Sequence, residues 1–308
     1  MEIALQFVLL ALGFVMLGKG ADWFVEGAAG IAMRFGIPQL VIGLTIVAMG
    51  TSAPEAAVSI AAAVKGNADI TIGNIVGSNI LNILIILGLA ASIVPIAVAR
   101  STVRIEIPFM IAVTALLFYQ GRDGSISLAD GGVLMVAFAV YMMYLYTMAM
   151  KSNVDSDLEE PGLPLGRCIL GAVGGLALII AGSNVTVGAA TSIATYAGLS
   201  ERFIGLTIVA LGTSLPELFT SVAAARRGNA DIAIGNIVGS NIFNILFVVG
   251  LSSLIIDIPF ASAFNFDTYV ALAAAVLLWL CVLRTQRLQR WAGALMLVCY
   301  AAYLGYIL

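Results

Sequence analysis

A 47-residue stretch that occurs twice constrains this chain more than any other feature. The copies occupy 43–89 and 205–251, align without a gap at an offset of 162 and are identical at 34 of 47 positions. An internal repeat of this length is a fold-level signal, because both copies must form the same unit. Each carries G-T-S-x-P-E, with Glu55 in the first and Glu217 in the second. Each then carries G-N-I-V-G-S-N-I-x-N, with Ser78, Asn79 and Asn82 in the first and Ser240, Asn241 and Asn244 in the second. Both motifs interrupt apolar runs with Gly, Pro and small polar residues, as membrane transporters break helices around a substrate.

The surroundings of the repeats place them in a membrane. Hydrophobic residues make up 61% of the chain and charged residues 10%, against about a quarter charged in soluble domains. Apolar runs of 18 residues or more recur along its length, which defines an all-α polytopic membrane protein. No basic arm suggests nucleic acid. Cys168, Cys281 and Cys299 lie in apolar segments without paired spacing and read as small buried hydrophobes. The first apolar run lacks a basic flank and is expected to be a retained helix, not a cleaved signal.

Ten spans are expected, over 3–20, 38–64, 70–94, 105–119, 128–150, 167–196, 203–225, 232–256, 268–283 and 291–308. For the first, an extension through Trp23 and Glu26 stays open. The polar, acidic segment 151–165 separates a first repeat, 1–150, from a second, 166–308. Five spans per half is odd, so the second half enters the membrane from the opposite side. Two inverted five-helix repeats within one transmembrane domain are a common plan for secondary transporters. Eleven Lys and Arg residues fall on the side of the loops that follow odd-numbered spans. Lys65, Arg122 and Arg202 fall on the other. The positive-inside bias then puts both termini outside and the acidic linker in the cytoplasm of a cell-membrane protein.

The chemistry sits in the repeats. A carboxylate at membrane depth costs roughly 2.5–3.5 kcal/mol even on lenient insertion scales. Here the cost recurs at matching positions, Glu55 and Glu217. Two such anions about 5 Å apart repel by roughly 3 kcal/mol at an effective dielectric near 20, which a cation between them or a proton on one would relieve. Pro54 and Pro216 favour the start of a new helical segment, so each helix is expected to break just before its glutamate. The preceding half-helix would aim C-terminal carbonyls at the site, making the main-chain oxygens of Ala48, Thr51, Ala210 and Thr213 candidate ligands. Hydroxyls of Ser52, Ser214, Ser78 and Ser240 and amides of Asn82 and Asn244 add neutral oxygens. Asn74, Asn79, Asn236 and Asn241 read instead as interhelical hydrogen-bonding residues. With no histidine in the chain, these hard oxygens suit Ca2+ and, in smaller cavities, Na+. Nothing pairs a nucleophile with a base and no cofactor motif occurs, so an enzyme is not expected.

These motifs resemble the cation/calcium exchanger superfamily, particularly the prokaryotic sodium/calcium exchangers, over essentially the whole chain. The resemblance implies four ion sites clustered between helices two, three, seven and eight. By motif matching, Glu55 and Glu217 are shared by the Ca2+ site and the Na+ sites, and the main-chain oxygens of Thr51 and Thr213 complete the Ca2+ site. Ala48, Ser52 and Ser78 serve one outer Na+ site, Ala210, Ser214 and Ser240 the other, and Asn82 and Asn244 line the middle. The implied function is antiport of Na+ against Ca2+ by alternating access, with the long first and sixth helices sliding on the core. The implied partners are those ions and the lipid bilayer, with the chain acting as a monomer. Some relatives, including potassium-dependent ones, carry Asp where this chain has Asn244, which weakens the case for K+ co-transport. A Ca2+/H+ antiporter using both glutamates as proton acceptors is the alternative, and a passive cation channel the rival from another class.

Overall fold

The computed structural model describes residues 2–66, 68–152, 163–198 and 210–307. Most of the acidic linker and the first part of the expected seventh span lie outside the described residues. Helix α1 spans Glu2–Arg34, and α2 (Gln39–Thr51) leads into α3 (Ala53–Val64). Then follow α4 (Ile70–Ile93), α5 (Thr102–Asp123) and α6 (Leu128–Lys151). The second half begins with α7 (Leu165–Tyr196), a short α8 (Ala210–Thr213) and α9 (Leu215–Arg226). It ends with α10 (Ala230–Ile255), α11 (Ala263–Leu283) and α12 (Arg290–Ile307). Among the described residues, eight helices are long and apolar enough to cross a membrane, and α2 with α3 forms a ninth, bent span. The architecture is therefore the expected all-α membrane fold.

Several boundaries move outward, for identifiable reasons. The first span takes the extension through Trp23 and Glu26 and runs eight residues further, to Arg34. At 1.5 Å per residue this 33-residue helix is about 50 Å long, well beyond a 30 Å hydrocarbon core. Two of its acids share one partner: Asp22 and Glu26 each pair at 3.2 Å with Arg227, at the end of α9. The fourth span begins at Thr102, three residues before its expected start, and its first turn is π-helical over Thr102–Glu106. That turn brings Glu106 under Tyr144, whose hydroxyl donates to Glu106 Oε1.

Short strands, which the apolar pattern does not signal, tie the halves together. β1 (Ile96–Ala97) pairs antiparallel with β4 (Arg287–Leu288), and β2 (Ser125–Ile126) pairs with β3 (Ile258–Pro259). The registers are Ile96 with Leu288 and Ile126 with Ile258. Positions 96 and 258, and positions 126 and 288, are equivalent at the repeat offset of 162. Each ladder is thus the image of the other, the reciprocity of a two-fold axis relating the inverted repeats.

Glycines set the closeness of the long helices. A Cβ at Gly27 would lie 2.4 Å from the Ala172 nitrogen, and one at Gly175 would lie 2.5 Å from the Phe24 nitrogen. Helices α1 and α7 consequently approach backbone to backbone, as small residues allow in membranes. Helices α4 and α10 occupy the centre, with Ile72, Ile75, Ile80, Ile234, Ile237 and Ile242 fully buried.

Candidate functional site

The two breaks have the same local cause and the same shape. Helix α2 ends at Thr51 and α8 at Thr213; Ser52 and Ser214 leave helical geometry with φ/ψ of −82°/6° and −90°/3°. Pro54 and Pro216 sit in the first turn of the next segments, where a missing N–H costs nothing. The bend between α2 and α3 is 51°. It brings Glu55 into the first turn of α3, and Glu217 holds the same place in α9. Both glutamates are 0% exposed.

The carboxylates are cross-braced between the halves. Ser52 donates to Glu217 Oε1 at 2.8 Å. Ser78 donates to Glu55 Oε1 at 3.2 Å, and Ser214 approaches that oxygen at 3.5 Å and the Ser78 hydroxyl at 3.1 Å. Ser52 stands three residues before Glu55 and Ser214 three before Glu217, so the serine of each half reaches the carboxylate of the other. Asn74 and Asn236 brace the glutamates from behind. Their amides donate to the main-chain oxygens of Glu55 and Glu217 at 3.3 and 3.4 Å, and to Ser59 and Ser221 at 2.9 Å each.

The asparagines of α4 and α10 form a second reciprocal set. Asn79 donates to the Asn241 carbonyl and Asn241 to the Asn79 carbonyl, both at 3.2 Å. Asn82 donates to Asn241 Oδ1 at 2.9 Å and Asn244 to Asn79 Oδ1 at 3.1 Å. Each of Asn82 and Asn244 therefore spends its N–H on a neighbour and keeps its oxygen. Both open π-helical segments, Asn82–Leu87 and Asn244–Val249, a backbone feature frequent at functional sites.

The remainder of this bonding is four buried oxygens with no hydrogen-bond partner: Glu55 Oε2, Glu217 Oε2, Asn82 Oδ1 and Asn244 Oδ1. They form two pairs related by the repeat offset. An unsatisfied buried acceptor is costly, and a charged one more so. Acceptors with no donor in reach are what a bound cation satisfies. No group of three His, Cys, Asp or Glu converges among the described residues, so the formal charge of the site rests on the two glutamates.

The remaining sequence candidates divide. The Ala48 carbonyl already accepts the Ser52 N–H at 3.0 Å and hydroxyls of Thr51 and Ser240 at 3.3 Å each. Ser240 thus lies on a main-chain oxygen, whereas its equivalent Ser78 lies on a glutamate. The Thr51 hydroxyl donates to Asn236 Oδ1 at 3.0 Å. Ala210 opens α8, which Thr213 closes. Sequence reasoning assigned no role to Ser183, whose hydroxyl donates to the Gly212 carbonyl at 2.7 Å and anchors the end of α8. It also missed the fully buried Glu106; a lone acid in an apolar span was the available signal.

A helix-bounded, twofold-related set of buried oxygens in a fold of membrane-length helices has the donor chemistry that suits a hard cation, as in a membrane transporter. Likeness to known proteins points the same way. The family model for sodium/calcium exchanger proteins matches residues 5–147 and 168–308, and the chain belongs to that family, whose members are transporters and not enzymes. The chain is 38% identical over 289 residues to the inner membrane protein YrbG of Escherichia coli, covering 88% of each. It is 33% identical to the sodium/calcium exchanger MaX1 of Methanosarcina acetivorans, covering 98% of each. Its fold matches a solved structure of the sodium-calcium exchanger NCX_Mj soaked with Na+ and Sr2+. That match has a TM-score of 0.85 and 33% identity, over 98% of this chain and 99% of the other.

Proposed function

We propose that this chain exchanges Na+ for Ca2+ across a cell membrane by alternating access, at a site centred on Glu55 and Glu217. The observation that carries the reading is the set of four orphaned buried oxygens, two of them carboxylate. One Ca2+ between the glutamates would cancel both charges and receive hard oxygens, of which it takes six to eight. Thr51 and Thr213 would complete that site through main-chain oxygens. Ala48, Ser52 and Ser78 would hold one Na+, Ala210, Ser214 and Ser240 another, with Asn82 and Asn244 in the middle. Sharing the glutamates makes occupancy by Ca2+ and by Na+ mutually exclusive, and mutual exclusion gives exchange and not co-transport. The two halves, 1–150 and 166–308, would act as one transmembrane unit working as a monomer in lipid, with the 151–165 linker on the cytoplasmic face and both termini outside.

Proteoliposomes loaded with 45Ca2+ test this directly. An imposed Na+ gradient should drive Ca2+ flux against its own gradient. Ca2+ flux driven by a pH gradient and indifferent to Na+ would replace the reading with Ca2+/H+ antiport, and flux that never moves Ca2+ uphill would replace it with a channel.

A further inference from the structure

A cleft of about 390 Å3 opens beside the glutamate pair, between α4, the end of α8, α11 and α12. Asn74, Ser78, Thr213, Asp267, Tyr300 and Tyr303 are its polar lining. Ser78 also donates to Glu55, so the cleft ends one hydrogen bond from the central carboxylates. Asp267 stands half-buried one turn into α11, and Tyr303 donates its hydroxyl to Asp267 Oδ1 at 2.8 Å. A carboxylate set in the low-dielectric wall of a cleft focuses its field into the opening and raises the local cation concentration. Nothing in the bonding around Glu55 and Glu217 uses this residue.

The twofold relation supplies an internal control. At the equivalent place in the other half, Phe138 stands where Tyr300 does, Phe243 where Leu81 does, and Ile105 where Asp267 does. Phe138 lies 6.1 Å from Phe243 and 5.3 Å from Phe247 between ring centroids, and Phe243 stacks on Phe247 at 4.8 Å. Asn236 and Ser240, the equivalents of Asn74 and Ser78, are fully buried there. The neighbouring acid, Glu106, is buried and receives the Tyr144 hydroxyl. The same wall is thus open and acidic on one side of the site and plugged with aromatic rings on the other. Because the repeats are inverted, those sides face opposite membrane surfaces.

We propose that the Asp267 cleft is the path by which cations reach the Glu55–Glu217 site in this conformation, with Asp267 as the recruiting carboxylate at its mouth. This rests on the reading of the glutamate pair as a cation site, and the test separates the two. Tyr300→Cys and Phe138→Cys in the full-length protein in membranes are labelled with membrane-impermeant thiol reagents, one cationic and one anionic, over the baseline of the native thiols. Tyr300→Cys should react, and the cationic reagent should be favoured by roughly fivefold, the scale of one nearby charge acting through water. Adding Asp267→Asn should remove that preference and Asp267→Glu should keep it, while Phe138→Cys stays at baseline. In Ca2+/Ca2+ counterflow, which needs no Na+, Asp267→Asn should raise KM for Ca2+ by a similar factor with Vmax within twofold. An unreactive Tyr300→Cys, a charge preference indifferent to Asp267, or an unchanged KM would each overturn the proposal. The labelling is independent of the transported ion, so an intact Asp267-dependent preference without Ca2+ flux would remove only the Ca2+ reading.

Discussion

Each central glutamate has one oxygen held by serine and one left over, and the leftover oxygens are what a cation can use. Glu55→Gln and Glu217→Gln keep the shape and remove the charge. Each is expected to abolish Ca2+ flux while leaving the detergent-solubilised protein monodisperse, measured by uptake and by size-exclusion chromatography; full transport in either would undo the site. Ser52 asks a finer question, because its hydroxyl sits on Glu217 Oε1. A hydrogen bond to a charged group contributes about 1.5–3 kcal/mol, and Ser52 is proposed to hold an outer Na+, so Ser52→Ala should weaken Na+ affinity by about tenfold or more, read as the Na+ concentration that drives half-maximal Ca2+ flux. Tighter binding would show that the hydroxyl only competes with the ion. The glutamates, serines and asparagines were legible in the sequence, since polar groups repeated in apolar runs demand a reason. Which asparagine oxygen stays free was not: it follows from the cross-pairing of Asn79 with Asn241, two residues 162 apart.

At the scale of elements, the helix breaks follow from chemistry written locally. Proline lacks the N–H that would continue α2 or α8, and a bend at Ser52 results. The reach of α1 to Arg34 was less legible, because Lys19, Asp22 and Glu26 look like the end of a span until Arg227 is brought opposite two of them. Those pairs are partly exposed and contribute little to stability; they show where α9 lies along α1. The contact of α1 with α7 depends on glycine. At Gly175 an added methyl would come within 2.5 Å of the Phe24 backbone. Gly175→Ala should force the helices apart and lower stability by about 1–3 kcal/mol, read as a lower Tm in detergent. A methyl added at the adjacent Gly174 would meet nothing within 4 Å, so Gly174→Ala should leave Tm unchanged and serves as the control.

At the scale of the whole molecule, an odd number of spans per half and an uneven distribution of Lys and Arg predict both termini outside. Epitope tags at either terminus should be reached by antibody in intact cells, and protection of both would reverse the orientation. The inverted repeat makes that orientation mechanistic: whatever opens on one face has an image on the other. Here the images differ, open at Asp267 and packed with Phe138, Phe243 and Phe247 opposite.

The duplicated motifs and the number of apolar spans determined, from the sequence alone, a membrane-embedded inverted repeat with paired acids and broken helices, because hydropathy and proline act over a few residues, span parity is a count along the chain, and none of them needs a tertiary partner. Only the tertiary structure decided which oxygens remain unsatisfied, that Glu106 is sealed beneath Tyr144, and which flank of the site is open. Those outcomes depend on contacts between residues carried by different helices, where one N–H or one ring settles what its neighbour keeps.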